Sequence, residues 1–505
     1  MSFADFETGI ARFNDVLCTL NVLAWDSRTM MPAGGIEGRS HQIATLTGIA
    51  RDMATGEAMA RAIESARTEL EGVGPDDLRL RAVETAAAGI AQLSRLPADL
   101  VRESAELKTR AQAAWVEARA ADDFAAFAPW LERTVAMQRT IAEALGYDSH
   151  PYDPLVAMYE PDMSWERLRT LFSGLRKELA PLLEAARNDP PARTDVLERR
   201  FPIDRQKAFS REIAARFGYD FERGRLDDTA HPFEISFTRG DVRITGRFRE
   251  TWLPGGLFAV WHEVGHGTYE QGIDPAFTRS AFACDFLNLY AVGGASFGTH
   301  ESQSRLWENR VARSHRFWEL NYDALRSTFS DELADVSLDD FWRAVNAPRP
   351  NLIRVEADEL TYDFHIMLRA EIEAGLMAGE IAVADLPAIW AERMRTDLGV
   401  EVPNDADGVL QDVHWSSGMI GSFPTYTIGN IMSAQFFRAA AANANVADGL
   451  ETGDYAPLRA WLRENVHRHG RSRSPNALLE AATGQSLSTE AYIGELEDKV
   501  ARLTA

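Results

Sequence analysis

Apolar residues recur at intervals of three and four in seven long stretches of this 505-residue chain. Residues 56–71, 79–95, 98–120, 123–145, 164–187, 204–217 and 356–379 all show the pattern, in stretches rich in Ala, Leu, Glu and Arg. That period places apolar side chains along one face of an α-helix and does not suit a sheet. Gly146 and Pro190 follow two of these stretches as helix stops. The fold expected is therefore mainly α. No Ser/Gly/Pro-rich linker, internal repeat or low-complexity tract divides the chain, so a single helical domain over residues 1–505 is expected.

One segment has a different period. From Ile235 to Arg249 the sequence ISFTRGDVRITGRFR alternates about Gly240. Val242, Ile244 and Phe248 fall on one face, and Arg243, Thr245 and Arg247 on the other, which predicts a short β-hairpin with an arginine-bearing face.

Charge and cysteine content narrow the functional classes. There are 53 basic and 76 acidic side chains, a net charge of −23. A nucleic-acid binder needs a basic face to neutralise phosphates, and this balance argues against one. Cys18 and Cys284 are the two cysteines, too few for a disulfide framework, so a reducing compartment is expected. The opening MSFADFETGIARF carries acids where a signal peptide would carry bases, and a cytoplasmic protein is expected. The longest uncharged run, 413–437, contains Pro424 and three glycines. It reads as buried protein, with no membrane span.

The most informative five residues are His262-Glu263-Val264-Gly265-His266. On a helix, positions i and i+4 lie about 40° apart around the axis and about 6 Å apart along it. Two imidazoles so placed suit one Zn²⁺, and Glu263 projects beside them, where a general base is needed. Leu253-Pro254-Gly255-Gly256 before the motif and Gly272 after it frame a helix of about four turns, at residues 256–272. Histidines on an amphipathic helix can instead be satisfied core residues, but three ionisable groups in an apolar run are costly to bury without a partner. A catalytic zinc usually keeps three protein ligands. Downstream candidates for the third are Glu270, Asp285, Glu301 and Glu308. Glu270 lies one turn beyond His266 and should point past the metal, whereas Glu301 opens a second helical segment from about residue 300.

Other motifs continue the series: HPF at 231–233, DVRIT at 241–245, HESQSR at 300–305, IRVEADE at 353–359 and GVLQDVHW at 408–415. With WDSRTMMPAGG at 25–35 and GSFPTYTIGN at 421–430, they span most of the chain in the order of one family. The sequence resembles the thermostable carboxypeptidase family of helical zinc-dependent metallocarboxypeptidases. The resemblance implies His262, His266 and Glu301 as metal ligands and Glu263 as catalytic acid/base. It implies zinc, with cobalt able to substitute, and a deep groove for short or unstructured peptides with a free C-terminus. It also implies a homodimer. From the same motifs, His231, Asp241, Thr245, Gln411, Asp412 and His414 are candidate groove residues; a buried polar network is the alternative reading. His262 and Glu301 are 39 residues apart, more than the family pattern has, and the surplus falls near residues 283–294.

Carbonyl hydrolysis needs a donor for the developing oxyanion, and Tyr426 is the candidate, with a packed core tyrosine as the alternative. A terminal carboxylate suits a guanidinium fork better than a lysine. Arg243 and Arg354 are the candidates, although Arg354 could equally pair with Glu356 or Asp358. Arg305 is expected to pair with Glu301 four residues earlier. His467 and His469, in HRHGRSRS, read as solvated, and Cys284 as a buried thiol. Windows 231–262, 301–316 and 343–354 each hold more arginines than acids, which predicts a site less acidic than the whole. Two other functions share these residues: an oligoendopeptidase or dipeptidyl carboxypeptidase on the same zinc site, and a non-catalytic helical peptide-binding protein.

Overall fold

A computed structural model of the chain describes residues 2–187 and 192–504; Pro190 lies outside them. The protein is predominantly helical. Helices Glu57–Glu69, Leu78–Arg95, Ala98–Ala121, Phe124–Leu145, Trp165–Arg187 and Ile203–Phe217 fall within two residues of their periodic stretches. Local chemistry sets several ends. Asp123 accepts a hydrogen bond from the Ala126 N–H at the start of one helix, and Gly218, at φ 99°, closes another.

The 356–379 stretch departs from expectation, because its helix begins only at Tyr362 and runs to Ala378. The Asp358 carboxylate accepts hydrogen bonds from the backbone N–H groups of Arg349 and Leu360 and from the Thr361 hydroxyl. These bonds hold the preceding residues in a turn, a local alternative that aspartate offers to helix.

The chain forms two compact units, each assembled from three separated stretches. One comprises Met1–Ser94, Ala192–Val345 and Gly429–Ser488; the other comprises Arg95–Pro191, Asn346–Ile428 and Thr489–Ala505.

The first unit contains the expected hairpin, β2 (Glu234–Thr238) and β3 (Asp241–Gly246), paired antiparallel with a register shift between Ser236 and Thr238. A third strand, β1 (Gly224–Asp228), which the alternation did not indicate, runs parallel to β3 and places Arg225 opposite Arg243. One face of the sheet carries Ile235 and Phe237 against Trp25. The other buries Val242 and Ile244, and Ile244 comes so close to the following helix that a Cβ on Gly267 would meet its Cγ2 at 3.2 Å.

That following helix runs Leu253–Gly272, so Leu253-Pro254-Gly255-Gly256 forms its first turn and does not precede it. Proline is tolerated there because the first helical N–H groups have no intrahelical partner. The helix is buried on nearly all sides, and Trp261 sits among Phe209, Phe217, Phe258, Phe317 and Trp318. A second helix, Phe297–Arg305, starts at Ser296, whose hydroxyl accepts from Thr299 N–H, and continues into a π-helical turn, Leu306–Ala312. The two helices cross at Gly265. A Cβ there would lie 2.3 Å from the Gln303 carbonyl oxygen and 2.4 Å from Ser304 Cα, so no larger residue permits this approach.

In the second unit the Tyr362–Ala378 helix is the buried centre, and Asp363, His365, Arg369 and Glu373 are all fully enclosed. Both cysteines are unpaired. Among the described residues no helix is long and apolar enough to cross a membrane.

Candidate active site

Glycine at position 265 lets the second helix carry Glu301 up to the two histidines one turn apart. Glu301 Oε2 lies 3.6 Å from His262 Nε2 and 3.4 Å from His266 Nε2. One donor atom from each of the three residues falls within 4.8 Å of the others, and among the described residues no other such group occurs. A Cβ on Gly429 would meet Glu301 Cγ at 2.5 Å, so the side chain is also held from behind by a glycine of the GSFPTYTIGN segment. Two imidazole nitrogens and one carboxylate facing a common point fit a divalent ion and leave a coordination position open. Glu263 lies beside them, buried at 5% exposure.

The electrostatics follow from burial and from the acids around the cluster. Desolvation raises the Glu263 carboxyl to about 7, with Glu301 and Glu308 adding to the effect and His262 opposing it. A cation bound among the three donors would draw that value down again. Desolvation would also raise Glu301, but Arg305 and the two histidines hold it well below the carboxylate range. Arg305 Nε donates to Glu301 Oε1 at 2.7 Å, the pairing expected at this spacing. The two histidines differ. Burial holds His266 down at about 3, whereas at His262 the neighbouring Glu301 and Glu308 outweigh burial and raise it.

The other candidate third ligands have different positions. Glu308 Oε2 meets His262 Nδ1 at 2.9 Å, on the ring edge away from Glu301. Glu270 points past the cluster, as expected, and its carboxylate receives Arg239, Ser236 and the N–H groups of Gly293 and Gly294. Asp285 accepts from Asn288 N–H and lies 3.6 Å from Arg471.

On the sheet, Arg243 makes a two-pronged bond to Asp241, with both contacts at 2.9 Å. Its guanidinium lies over Trp25 and Phe237. Thr245, expected on the arginine-bearing face, is fully buried and exchanges hydrogen bonds with the Phe233 backbone. His231 is exposed ahead of β2. His467 is a correction. It is buried, donates from Nε2 to Gln303 Oε1 at 2.9 Å and packs on Tyr269, because Gly272 leaves room where a Cβ would meet its ring at 2.6 Å.

In the second unit, Arg354, Gln411, Asp412, His414 and Tyr426 come together. Arg354 donates from Nε and Nη2 to Asp412 Oδ1 and from Nη1 to the Tyr362 hydroxyl. Its partner is thus Asp412 and neither Glu356 nor Asp358, whose carboxylate is occupied at the turn before the Tyr362–Ala378 helix. His414 Nε2 lies 3.2 Å from the Tyr426 hydroxyl. Arg369, absent from the sequence reading, donates to Asp412 Oδ2 at 2.6 Å, to Gln411 Oε1 at 2.8 Å and to the His365 carbonyl at 2.7 Å. The one sequence signal for it was a charge inside the apolar run HIMLRAEI. His300 was also missed, although it precedes Glu301 directly.

The family described as Carboxypeptidase Taq (M32) metallopeptidase matches residues 5–500. The chain belongs to the M32 family. This M32 chain is 39% identical to Thermostable carboxypeptidase 1 of Thermus thermophilus over 96% of each protein. It is 35% identical to Carboxypeptidase 1 of Bacillus subtilis over 99% of this chain and 98% of the relative. The crystal structure of the M32 carboxypeptidase from Deinococcus radiodurans R1 superimposes with a TM-score of 0.94 at 39% identity, covering 99% of this chain and 98% of the other. The M32 chain is accordingly a metallocarboxypeptidase acting on peptides, and the metal its family name requires has a matching donor set in His262, His266 and Glu301.

Proposed function

We propose that this enzyme removes single residues from free peptide C-termini with a zinc ion held by His262, His266 and Glu301. The observation that carries the proposal is the convergence of those three donors beside a buried carboxylate, Glu263. Zinc bound there would lower the pKa of a water molecule and polarise the scissile carbonyl. Cobalt should substitute, since it accepts the same imidazole and carboxylate donors.

Glu263 takes the proton of the attacking water and returns it to the leaving amine nitrogen, acting first as general base and then as general acid. Its raised pKa, before any cation is added, suits a group that must both accept and give a proton near neutrality. Tyr426 is assigned as donor to the developing oxyanion, oriented by His414. His231, Asp241, Arg243, Arg354, Gln411, Asp412 and His414 are assigned to the substrate groove, with Thr245 buried behind it as a support through its bonds to the Phe233 backbone. Of the two arginines, Arg243 is the more open, with 19% of its side chain exposed against 7% for Arg354. Arg354 has all three guanidinium nitrogens engaged, so we assign the substrate carboxylate to Arg243 and the rigidity of the groove to Arg354. The unpaired cysteines suit a reducing cytoplasm, and a homodimer is the proposed assembly.

Paired peptides with free and amidated C-termini test the reading. Mass spectra should show single-residue loss from the free peptide and none from the amidated one. Equal cleavage of both would instead identify an oligoendopeptidase on the same site.

A further inference from the structure

The two histidines of the cluster are supported from behind in chemically different ways. Each ring turns Nε2 towards Glu301, which leaves Nδ1 to be held by something else. At His262 that partner is a carboxylate, Glu308 Oε2, at 2.9 Å. At His266 it is another imidazole: Nδ1 lies 2.5 Å from His300 Nδ1. His300 Nε2 in turn lies 3.1 Å from Glu270 Oε1.

We propose that His300 and Glu270 form a positioning relay that fixes the tautomer and orientation of His266 as a metal ligand, an inference that rests on the metal-site reading above. The proton accounting admits one arrangement for a neutral pair of rings with His266 bound through Nε2. Glu270 is an acceptor, so His300 carries its proton on Nε2 and donates it. His300 Nδ1 is then an acceptor, so His266 carries its proton on Nδ1 and donates it, which leaves His266 Nε2 with a free lone pair directed at the site. Every position in the chain is used once. No step moves a proton or breaks a bond; the relay holds geometry.

Glu270 is well anchored for this task. It is fully buried, and Arg239, Ser236 and the backbone N–H groups of Gly293 and Gly294 hold its oxygens in place. It also sits one helical turn beyond His266, on the same helix. A ligand histidine normally gives its second N–H to a carboxylate or carbonyl. Here an imidazole spans the gap, because Glu270 points away from the donor cluster. His300 is placed to span it as the residue next to Glu301, so one helix delivers both a ligand and the support of another ligand. Its ring also packs on Tyr269 at 5.3 Å, a contact that needs only an aromatic ring and neither nitrogen.

The test separates the relay from packing. His300→Phe keeps an aromatic ring but cannot bond to either neighbour; His300→Gln keeps one acceptor and one donor. Zinc affinity is measured by chelator competition on the full-length, refilled protein, with the cobalt form's visible absorption as a second readout. H300F should weaken zinc binding by about 10- to 100-fold and alter the cobalt spectrum, and H300Q should recover most of the loss. Equal affinity for H300F and the unmodified protein, or equal loss in both variants, would overturn the relay. Should H300F fail to fold, ¹⁵N NMR of histidine-labelled, zinc-loaded enzyme decides without any substitution. A proton on His266 Nδ1 and on His300 Nε2 supports the relay, and a proton on His300 Nδ1 refutes it. An unmodified protein that binds no zinc through His262 and His266 would be a failure of the metal-site reading instead.

Discussion

Two buried clusters of charge, one in each compact unit, are built to opposite plans. Around His262, His266 and Glu301 the side chains turn their donor atoms towards one another, all three within 4.8 Å. Around Asp412 the groups close on themselves. Arg354 and Arg369 share its two oxygens, and Gln411 bonds to both arginines, through the backbone N–H of one and the guanidinium of the other. An open constellation can take up a further atom, whereas a closed one resists change. The first arrangement suits chemistry and the second suits holding a wall in place.

The largest effect expected from breaking this contrast is at Glu263. Glu263→Gln should keep the fold and the bound metal and lower kcat by about 10²- to 10⁴-fold, the usual contribution of a general acid-base group. Steady-state kinetics on a variant of verified metal content measure it. Full turnover would remove Glu263 from the mechanism. In the closed cluster the expected loss is one of stability. Asp412→Ala would strand two buried guanidinium groups and should destabilise the protein by about 3–5 kcal/mol in urea unfolding. A loss below about 1 kcal/mol would mean that water already screens the network.

The crossing at Gly265 should give a smaller but double effect. Gly265→Ala forces a Cβ against the Gln303 carbonyl, an overpacking that costs about 1–3 kcal/mol. It should also weaken metal binding by displacing Glu301, and unchanged zinc affinity in a folded variant would contradict that coupling. The smallest effect concerns Glu373, one turn from Arg369. It accepts hydrogen bonds from Tyr152, Trp415 and the Gly421 N–H, yet burial still raises its pKa from 4.5 to about 7. The folded protein therefore binds this proton more tightly than the unfolded chain does. The resulting stability is fully present below pH 4.5 and is lost as pH rises through 7. Urea midpoints should fall between pH 6 and 8, and Glu373→Gln should flatten that fall. An equal decline in both proteins would place the titration elsewhere.

Much of this organisation was legible in the sequence for definite reasons. Helices announced themselves because each buries one face, and the hairpin did so because Val242 and Ile244 alternate with the polar residues Asp241, Arg243 and Thr245. The spacing of His262 and His266 placed them on one helix face with Glu263 beside them. What stayed hidden depends on contacts between distant segments. β1 lacks a clean alternation, and only its pairing with β3 makes it a strand. His300 and Glu308 were visible as ionisable residues, but periodicity gives a helix face and not which ring nitrogen a neighbour will meet. Arg369 gained its role from Asp412, 43 residues away. His467 looked solvated beside Arg468, Arg471 and Arg473, and only the space left by Gly272 shows why it is buried. The arginine-rich windows around the motifs also proved less basic than their counts, because Arg239, Arg243, Arg305 and Arg354 are each paired with a carboxylate.

The central claim, that His262, His266 and Glu301 hold the metal, is tested most directly by crystals of the zinc-loaded enzyme measured across the zinc absorption edge. The account predicts one anomalous peak per chain, about 2.0–2.2 Å from His262 Nε2, His266 Nε2 and a Glu301 carboxylate oxygen. A peak bound instead through Glu270, Glu308 or Asp285, or no peak among these side chains in fully active enzyme, would contradict it.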